Sequence, residues 1–220
     1  MRRDVFNIQA VLTLSSFESP TMRNIILKSA VALALGIPLV AGAESNFTTG
    51  TGTPLTASAK VDFTVIIPKF VSLRVGTAGA AIDLITFTVP AASVGAGGAG
   101  IAGTGGDLTG GVVTSRVTGN NGQVTLSSTA TGALTNATAD TIPYSEITTV
   151  AAVNTSATAL PAPVLTNGTS ANVLPALTGK ITNQDARWTY NYANTAVVAA
   201  GTYGGVGVNN GRVTYTASMP

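Results

Sequence analysis

The residues of this chain that could perform nucleophilic or acid–base chemistry are few. It contains no histidine and no cysteine, which removes the commonest general base, the commonest transition-metal ligand and any disulfide. Serine and threonine hydroxyls are abundant, but they need a neighbouring base before they can attack a substrate. Lys60, Lys69 and Lys180 are most simply solvated strand or loop residues. We therefore expect no catalytic nucleophile.

Carboxylates are the remaining candidates for catalysis. Two of them about 5 to 10 Å apart in a cleft could hydrolyse a glycoside. The ordinary candidates show no informative spacing: Asp62, Asp83, Asp107, Asp140, Glu146 and Asp185. Asp140 and Glu146 flank a turn at Pro143, where acids commonly serve as turn or surface residues. No Asp-x-Asp-x-Asp loop is present to bind calcium, so we predict no catalytic residue and no metal site.

A glycine-rich stretch formally matches a nucleotide-binding motif. Residues 95–100, Gly-Ala-Gly-Gly-Ala-Gly, fit the G-x-G-x-x-G pattern that lets a backbone approach a pyrophosphate at the start of a helix. No amphipathic helix pattern follows, and the lysine of a phosphate loop is missing. The context indicates a flexible glycine loop and no cofactor.

Aromatic residues near the carboxyl terminus allow two interpretations. Trp188, Tyr190 and Tyr192 alternate along one predicted strand, and Tyr203 follows. Exposed rings would form a platform on which sugars stack. Alternation among valine-rich neighbours favours the other interpretation, in which the rings pack in the core.

Alternating apolar residues predict the first strands. Val61, Phe63, Val65 and Ile67 have the period of two that is typical of a strand with one face in a core. Pro68 interrupts this strand, and residues 71–75 and 82–89 predict two more.

Asparagine–glycine pairs predict two hairpins. Residues 119–122, Gly-Asn-Asn-Gly, separate apolar runs at 112–118 and 123–127, and Asn-Gly supplies the positive φ values of a tight turn. A second turn at residues 209–211 separates Val206 and Val208 from an alternating run at 212–219.

The predicted strands indicate an all-β fold. Any functional site would have to be built on these strands and on the loops between them. Prolines in residues 129–177 allow only short or edge strands there, and residues 91–111 are too poor in large apolar groups to be more than a surface loop. Short strands without a helical period predict an antiparallel β-sandwich, Ig-like or pilin-like, with a barrel as the fallback.

An export signal precedes these strands. Residues 22–43 place Arg23 and Lys28 before an uncharged apolar run and end in Ala-Gly-Ala, the layout of a signal-peptide helix with its cleavage site. The apolar run is shorter than the roughly 20 residues of a membrane span. We expect cleavage after Ala43, no stable membrane span, and a periplasmic, cell-surface or extracellular location. An uncleaved anchor is the alternative.

Processing sets the domain boundaries and the charge. Residues 1–21 are expected to be a misassigned upstream extension, with a genuine cytoplasmic extension as the alternative. Residues 44–59 are interpreted as a flexible segment, and residues 60–220 as one β-sandwich domain. The mature chain carries seven basic and seven acidic residues. Zero net charge removes the basic field that recruits nucleic acid and favours self-association.

Two stretches carry a family resemblance. With the leader, TASAKVDFTVIIPKFVSLRVG (56–76) and AGTYGGVGVNNGRVTYTASMP (200–220) resemble small secreted proteobacterial β-sandwich proteins of mostly unknown function, near spore-coat-U-like and fimbrial subunits. The resemblance implies a structural unit of a surface fibre, assembled by a periplasmic chaperone and an usher. It also implies strand donation to a neighbour, for which Phe47 and Leu55 would be the anchors. The chain departs from that family in lacking cysteine and in the small, polar residues after Phe47.

The first functional hypothesis is therefore a non-enzymatic secreted or cell-surface structural protein, possibly fimbria-like or coat-like. A binding or adhesion module that presents its loops to a glycan or surface is the alternative. A hydrolase using paired carboxylates is the third.

Overall fold

The computed structural model describes residues 46–220. The expected signal peptide and the expected upstream extension therefore lie outside the described residues. The chain divides into two compact units, Met1–Val65 and Ile66–Pro220. In the first unit, residues 46–65 are described and contain no helix or strand. All the strands described here belong to the second unit.

The second unit is built almost entirely from strands, many of them only two residues long because glycine and proline interrupt the ladders. In chain order the strands are β1 (Val71–Val75), β2 (Ile85–Thr86), β3 (Ile101–Ala102), β4 (Thr104–Gly105), β5 (Val112–Gly119), β6 (Thr125–Ala130), β7 (Leu134–Thr135), β8 (Thr141–Ile142), β9 (Ile147–Ala152), β10 (Leu177–Thr178), β11 (Ile181–Tyr192) and β12 (Val213–Ser218). Two 3₁₀ turns, Ala91–Ser93 and Tyr144–Glu146, are the only helical turns in the described residues.

The main sheet is antiparallel and centres on β11. Its strand order is β1-β5-β11-β10, and β3 and β9 also pair with β11. β11 is long enough to take several partners along its length: β5 pairs with Thr182–Thr189, and β9 with Arg187–Tyr192. Among the described strands, β1 bonds to β5 alone and so lies at an edge of this sheet.

A second sheet contains β6 and β12. They pair antiparallel over six residues, from Val213 opposite Ala130 to Ser218 opposite Thr125. On its other side β6 makes isolated bridges to Val173 and Thr169. Two further pairs, β2 with β4 and β7 with β8, complete the described strands.

The core lies between these two sheets. Val117 of β5 and Trp188 of β11 are fully buried, as is Leu126 of β6 from the opposite sheet. The rings of Trp188 and Tyr215 pack together across the core, tilted by 46° with centroids 5.3 Å apart. The expected all-β antiparallel sandwich is therefore confirmed, and the ladders of the described strands remain open and do not close into a barrel.

Both predicted hairpins are wrong. The turn at residues 119–122 joins β5 to β6, but β5 bonds to β1 and β11, whereas β6 bonds to β12. The turn therefore carries the chain from one sheet to the other. Residues 206–208 form no strand, and β12 pairs with β6 instead. The Asn-Gly signal specifies a tight reversal, not which strands bond to each other.

The first predicted strand is also wrong. Residues 55–70 belong to no strand. Val61, Phe63 and Val65 are 73 %, 88 % and 81 % exposed, so the alternating face that was expected in the core faces solvent. The strand predicted at 71–75 is confirmed as β1.

Two further predictions are corrected in part. Of the strand expected at 82–89, only Ile85–Thr86 forms a ladder, although Ile85 and Phe87 do pack against the core. The loop expected at 91–111 contains the short strands β3 and β4.

Candidate functional site

The candidate catalytic carboxylates accept hydrogen bonds that hold loops in place. Asp107 accepts a hydrogen bond from the backbone N–H of Thr114 at 2.7 Å and pairs with Arg74 at 3.3 Å. Glu146 accepts from the backbone N–H of Thr195 at 3.0 Å. Within residues 46–220 no group of three or more histidine, cysteine or acidic side chains is placed to hold a metal ion.

Asp140 serves a different loop from Glu146. It accepts from Thr138 Oγ1 at 2.7 Å and from Asn136 Nδ2 at 2.9 Å. The bond from Thr138, followed by that from Asn136, lowers the pKa of Asp140. These local bonds close a turn within residues 136–140, and they give Asp140 a structural role.

Asp185 is the most buried acidic residue in the described part of the chain, at 5 % exposed. The backbone N–H groups of Thr155 and Ser156 donate to it at 2.9 and 2.8 Å. The hydroxyl of Ser156 also donates, at 2.8 Å. Burial opposes ionisation, but the bonds from Thr155 and Ser156 outweigh it and hold the pKa of Asp185 well below its usual range. This carboxylate fixes the loop after β9 to the outer face of β11.

The glycine motif is a loop, as its context predicts. Gly95, Gly97, Gly98 and Gly100 all have positive φ, and strand β3 follows where a phosphate-binding motif needs a helix. The buried Asn194 accepts a hydrogen bond from the N–H of Gly95 at 3.0 Å, which ties the loop down.

Three of the four aromatic residues are buried. Trp188, Tyr190 and Tyr192 are 0 %, 7 % and 6 % exposed, so they pack in the core and present no face to a sugar. Trp188 Nε1 donates to the carbonyl of Leu160 at 2.9 Å. Tyr203 is half-buried, and its hydroxyl donates to the carbonyl of Ala199 at 2.8 Å. The four residues therefore do not form one exposed platform.

The expected strand-donation anchors lie in the first unit. Phe47 is 88 % exposed and Leu55 is 52 % exposed, and neither belongs to a strand. The alternating residues Val61, Phe63 and Val65 give the same unit a longer exposed apolar stripe.

The second unit begins with more exposed apolar residues. Ile66 and Ile67 are 88 % and 74 % exposed, and Phe70 is 50 % exposed. Asn120 extends the pairing of β1 with β5 beyond Val71, because its Oδ1 accepts from the N–H of Phe70 at 2.9 Å. Its Nδ2 donates to the carbonyl of Pro68 at 2.8 Å. β5 ends at Gly119, opposite Val71, and residues 66–70 belong to no strand.

The bonding of β6 shows which backbone groups of β12 are free. The N–H of Leu126 donates to Val173 at 2.9 Å, and the carbonyl of Ser128 accepts from Ser170 at 2.8 Å, so these residues bond away from β12. In an antiparallel ladder the bonding direction alternates from residue to residue. The intervening residues Thr125, Ser127 and Thr129 therefore bond to β12.

It follows that β12 has an open outer edge. The β6 residues that bond to it lie opposite Ser218, Thr216 and Thr214. Val213, Tyr215 and Ala217 therefore direct their N–H and C=O groups toward the other edge, where the described residues place no strand. Their side chains pack against the core but stay partly exposed.

A cleft lies at the end of β12. It has a volume of about 400 Å³ and is lined by Gln123, Thr125, Ser218, Met219 and Pro220. Asn121 fixes this end of the chain, because its Nδ2 donates to the carbonyl of Pro220 at 2.9 Å. The turn at 119–122 thus holds the start of β1 through Asn120 and the end of β12 through Asn121.

These features define an all-β antiparallel protein whose most unusual surfaces are an unpaired apolar segment and an open sheet edge. No protein-family model matches the chain, and neither a curated protein nor a solved structure matches it. No helix in the described part of the chain has the length and apolar character needed to cross a membrane.

Proposed function

We propose that this chain is an exported structural subunit that self-associates into a fimbria-like or coat-like surface polymer and has no catalytic activity. The observation that carries the proposal is the exposure of Val61, Phe63, Val65 and Ile67, all large, apolar and at least 73 % exposed. Contiguous exposed apolar surface of this kind marks an interaction site in a soluble protein.

The charge of the mature chain supports self-association. Seven basic and seven acidic residues remain after residue 43. A chain with zero net charge offers little electrostatic repulsion to a second copy of itself.

The roles of the polar groups support a structural function over a catalytic one. Asp107, Asp140, Glu146 and Asp185 all accept hydrogen bonds that brace loops. A general acid or base needs its carboxylate within reach of a substrate. In this protein those oxygens are bonded to neighbouring backbone and hydroxyl groups.

The test is the assembly state of the exported protein, purified separately from periplasm and from culture supernatant. Size-exclusion chromatography with light scattering gives the mass, and negative-stain microscopy gives the form. We expect regular oligomers or fibres in the supernatant. A stable monomer confined to the periplasm would overturn the proposal.

A further inference from the structure

The chain contains three asparagine–glycine pairs, a dipeptide that is chemically labile. The pairs are Asn121-Gly122, Asn167-Gly168 and Asn210-Gly211. In such a pair the backbone nitrogen of the glycine can attack the side-chain carbonyl carbon of the asparagine, and the absence of a Cβ on glycine eases the approach. Whether a pair reacts in a folded chain therefore depends on what holds the glycine N–H and the asparagine side chain.

Backbone hydrogen bonds protect the first and the third pair. The N–H of Gly122 donates to the carbonyl of Lys180 at 3.0 Å, and the N–H of Gly211 donates to the carbonyl of Val208 at 2.8 Å. Such a bond must break before the nitrogen can turn toward the asparagine side chain, and breaking it costs free energy. Both pairs should therefore react slowly in the folded chain.

The same two glycines are also required by the backbone. Gly122 has a φ of 110°, and a Cβ on Gly211 would collide with the backbone nitrogen of Gly205. Gly168 differs from both, because its φ is not positive and a Cβ placed on it would meet nothing within 4 Å. The fold therefore does not require glycine at position 168.

The nitrogen of Gly168 is also the least restrained of the three. In the described part of the chain its N–H donates only to Thr166 Oγ1, at 3.4 Å. That distance lies beyond the usual range for a hydrogen bond between N–H and oxygen, so the bond is weak. Asn167 itself is exposed and belongs to no strand, so water can reach it.

The side-chain carbonyl of Asn167 is polarised by a fixed donor. Its Oδ1 accepts a hydrogen bond from the backbone N–H of Tyr144 at 2.8 Å. Tyr144 is 2 % exposed, and its packing in the core holds this donor in position. Negative charge develops on Oδ1 when a nucleophile attacks the neighbouring carbon, and a donor that is already in place stabilises that charge.

We infer that Asn167 is a site of spontaneous deamidation in the folded chain. The nitrogen of Gly168 loses its proton and bonds to Cγ of Asn167, the bond from Cγ to Nδ2 breaks, and Nδ2 leaves as ammonia with that proton. Water then opens the five-membered succinimide ring and leaves aspartate or isoaspartate at position 167. The reaction needs only the chain and water, and it is independent of the proposed self-association.

The modification would change the charge and the backbone of this loop. Either product is an acid, so the mature chain would carry eight acidic residues against seven basic ones where it now has seven of each. Isoaspartate also adds one carbon to the backbone just before Gly168, whose carbonyl accepts from the N–H of Ala130 at 3.1 Å. The bridge from Thr169 to Thr129 of β6 follows directly, so this contact should loosen as the chain ages.

Tandem mass spectrometry of the full exported chain, incubated in mildly alkaline buffer, tests the inference. Asn121 and Asn167 lie on one tryptic peptide, residues 117–180, so fragment ions must assign each replacement of NH₂ by OH. We expect Asn167 to react about tenfold or more faster than Asn121 and Asn210, the effect of one hydrogen bond on a rate. Equal rates at the three sites, or a faster reaction at either of the other two, would overturn the inference.

Gly168→Ala is the matched variant, because it keeps Asn167 and adds a methyl group in open space. It should slow deamidation of Asn167 about tenfold, since the methyl group hinders the attacking nitrogen, and leave Asn121 and Asn210 unchanged. Urea denaturation should show that the variant is as stable as the wild-type chain. An unchanged rate at Asn167 in this variant would contradict attack by the nitrogen of residue 168.

Incubation in urea separates the effect of the fold from that of the local sequence. In the unfolded chain the bonds that protect Gly122 and Gly211 are absent, so the three pairs should react at similar rates. Preference for Asn167 that appears only in the folded chain would support the inference. The same preference in urea would show that the folded geometry does not select this site.

Discussion

The hydroxyl groups of Tyr190 and Tyr215 lie 2.8 Å apart and form a hydrogen bond that joins the two sheets. Tyr190 belongs to β11 of the main sheet, and Tyr215 belongs to β12 of the second. Tyr190 is 7 % exposed, so its hydroxyl has little access to water as an alternative partner. This bond fixes β12 against the core even though its outer edge is open.

Replacing Tyr215 with phenylalanine should destabilise the fold by leaving the hydroxyl of Tyr190 buried without a partner. We expect the free energy of unfolding to fall by about 1–3 kcal/mol, measured by urea denaturation. The Tyr190→Phe/Tyr215→Phe double variant should be destabilised by less than the sum of the single variants, because it leaves no orphaned group. Additive losses would show that the two hydroxyls do not depend on each other.

Alkaline pH should weaken the fold through its buried tyrosines. Burial raises the pKa of Tyr215 to about 12 and that of Tyr144 to about 12. Burial, followed by the neighbouring Tyr215, raises the pKa of Tyr190 as well. In an unfolded chain tyrosine ionises near pH 10, so above about pH 10 the unfolded state releases protons that the folded state keeps.

The free energy of unfolding should therefore be fully retained below about pH 10 and fall between about pH 10 and 12. Urea denaturation across that range measures it. Tyr215→Phe should have a shallower decline than the wild-type chain. A free energy that stays constant to pH 12 would argue against the burial of these hydroxyls.

Asp185→Asn should loosen the loop that follows β9. The substituted amide keeps the size of the side chain but loses the charge that strengthens the bonds from Thr155 and Ser156. We expect a loss of about 3 kcal/mol in the free energy of unfolding. Asp140→Asn is the matched control, because Asp140 is exposed and its bonds compete with water; its effect should be much smaller.

The contribution of Asp185 to the free energy of unfolding should be lost at acid pH. The pKa of Asp185 is lowered in the folded state, so its contribution to stability is complete above the pKa near 3.9 of an unfolded aspartate. That contribution is lost as pH falls below about 4 toward the lower folded pKa. Denaturation of Asp185→Asn should therefore depend less on pH in this range than denaturation of the wild-type chain. Identical acid profiles would show that another group is responsible.

Local sequence pattern predicted where most long strands lie but not how they pair. The alternation around Val117 and Leu126 correctly marks two strands with buried faces. The turn between them suggests a hairpin, yet the two residues belong to opposite sheets and pack in one core. A tight turn reverses the chain both in a hairpin and in a connection between two sheets. Which of the two forms here depends on the distant strands β11 and β12, which pair with β5 and β6.

The exposure of residues 61–67 could not be predicted either, because it too depends on which strands pair. Val65 and Leu73 have the same alternating pattern, and nothing local distinguishes them. Leu73 has a partner strand because β5 runs beside it, whereas Val65 belongs to no strand. Phe47 and Leu55 are the anchors that the family resemblance implies, because they are the large apolar residues of the segment at 44–59. In the folded chain, Val61, Phe63, Val65 and Ile67 are exposed instead of buried.

Asn120→Ala should release the residues just before β1. Asn120 accepts from the N–H of Phe70 and donates to the carbonyl of Pro68, and no strand holds either residue. Without the amide, the Phe70 N–H loses its acceptor, and its hydrogen exchange should accelerate by about tenfold or more.

Asn121→Ala is the control, because Asn121 bonds instead to Pro220 at the other side of the same turn. That variant should leave the exchange of Phe70 unchanged. Equal acceleration in both variants would mean that the turn responds as a whole. Selective acceleration in Asn120→Ala would show that this one side chain holds residues 68–70 in place before β1.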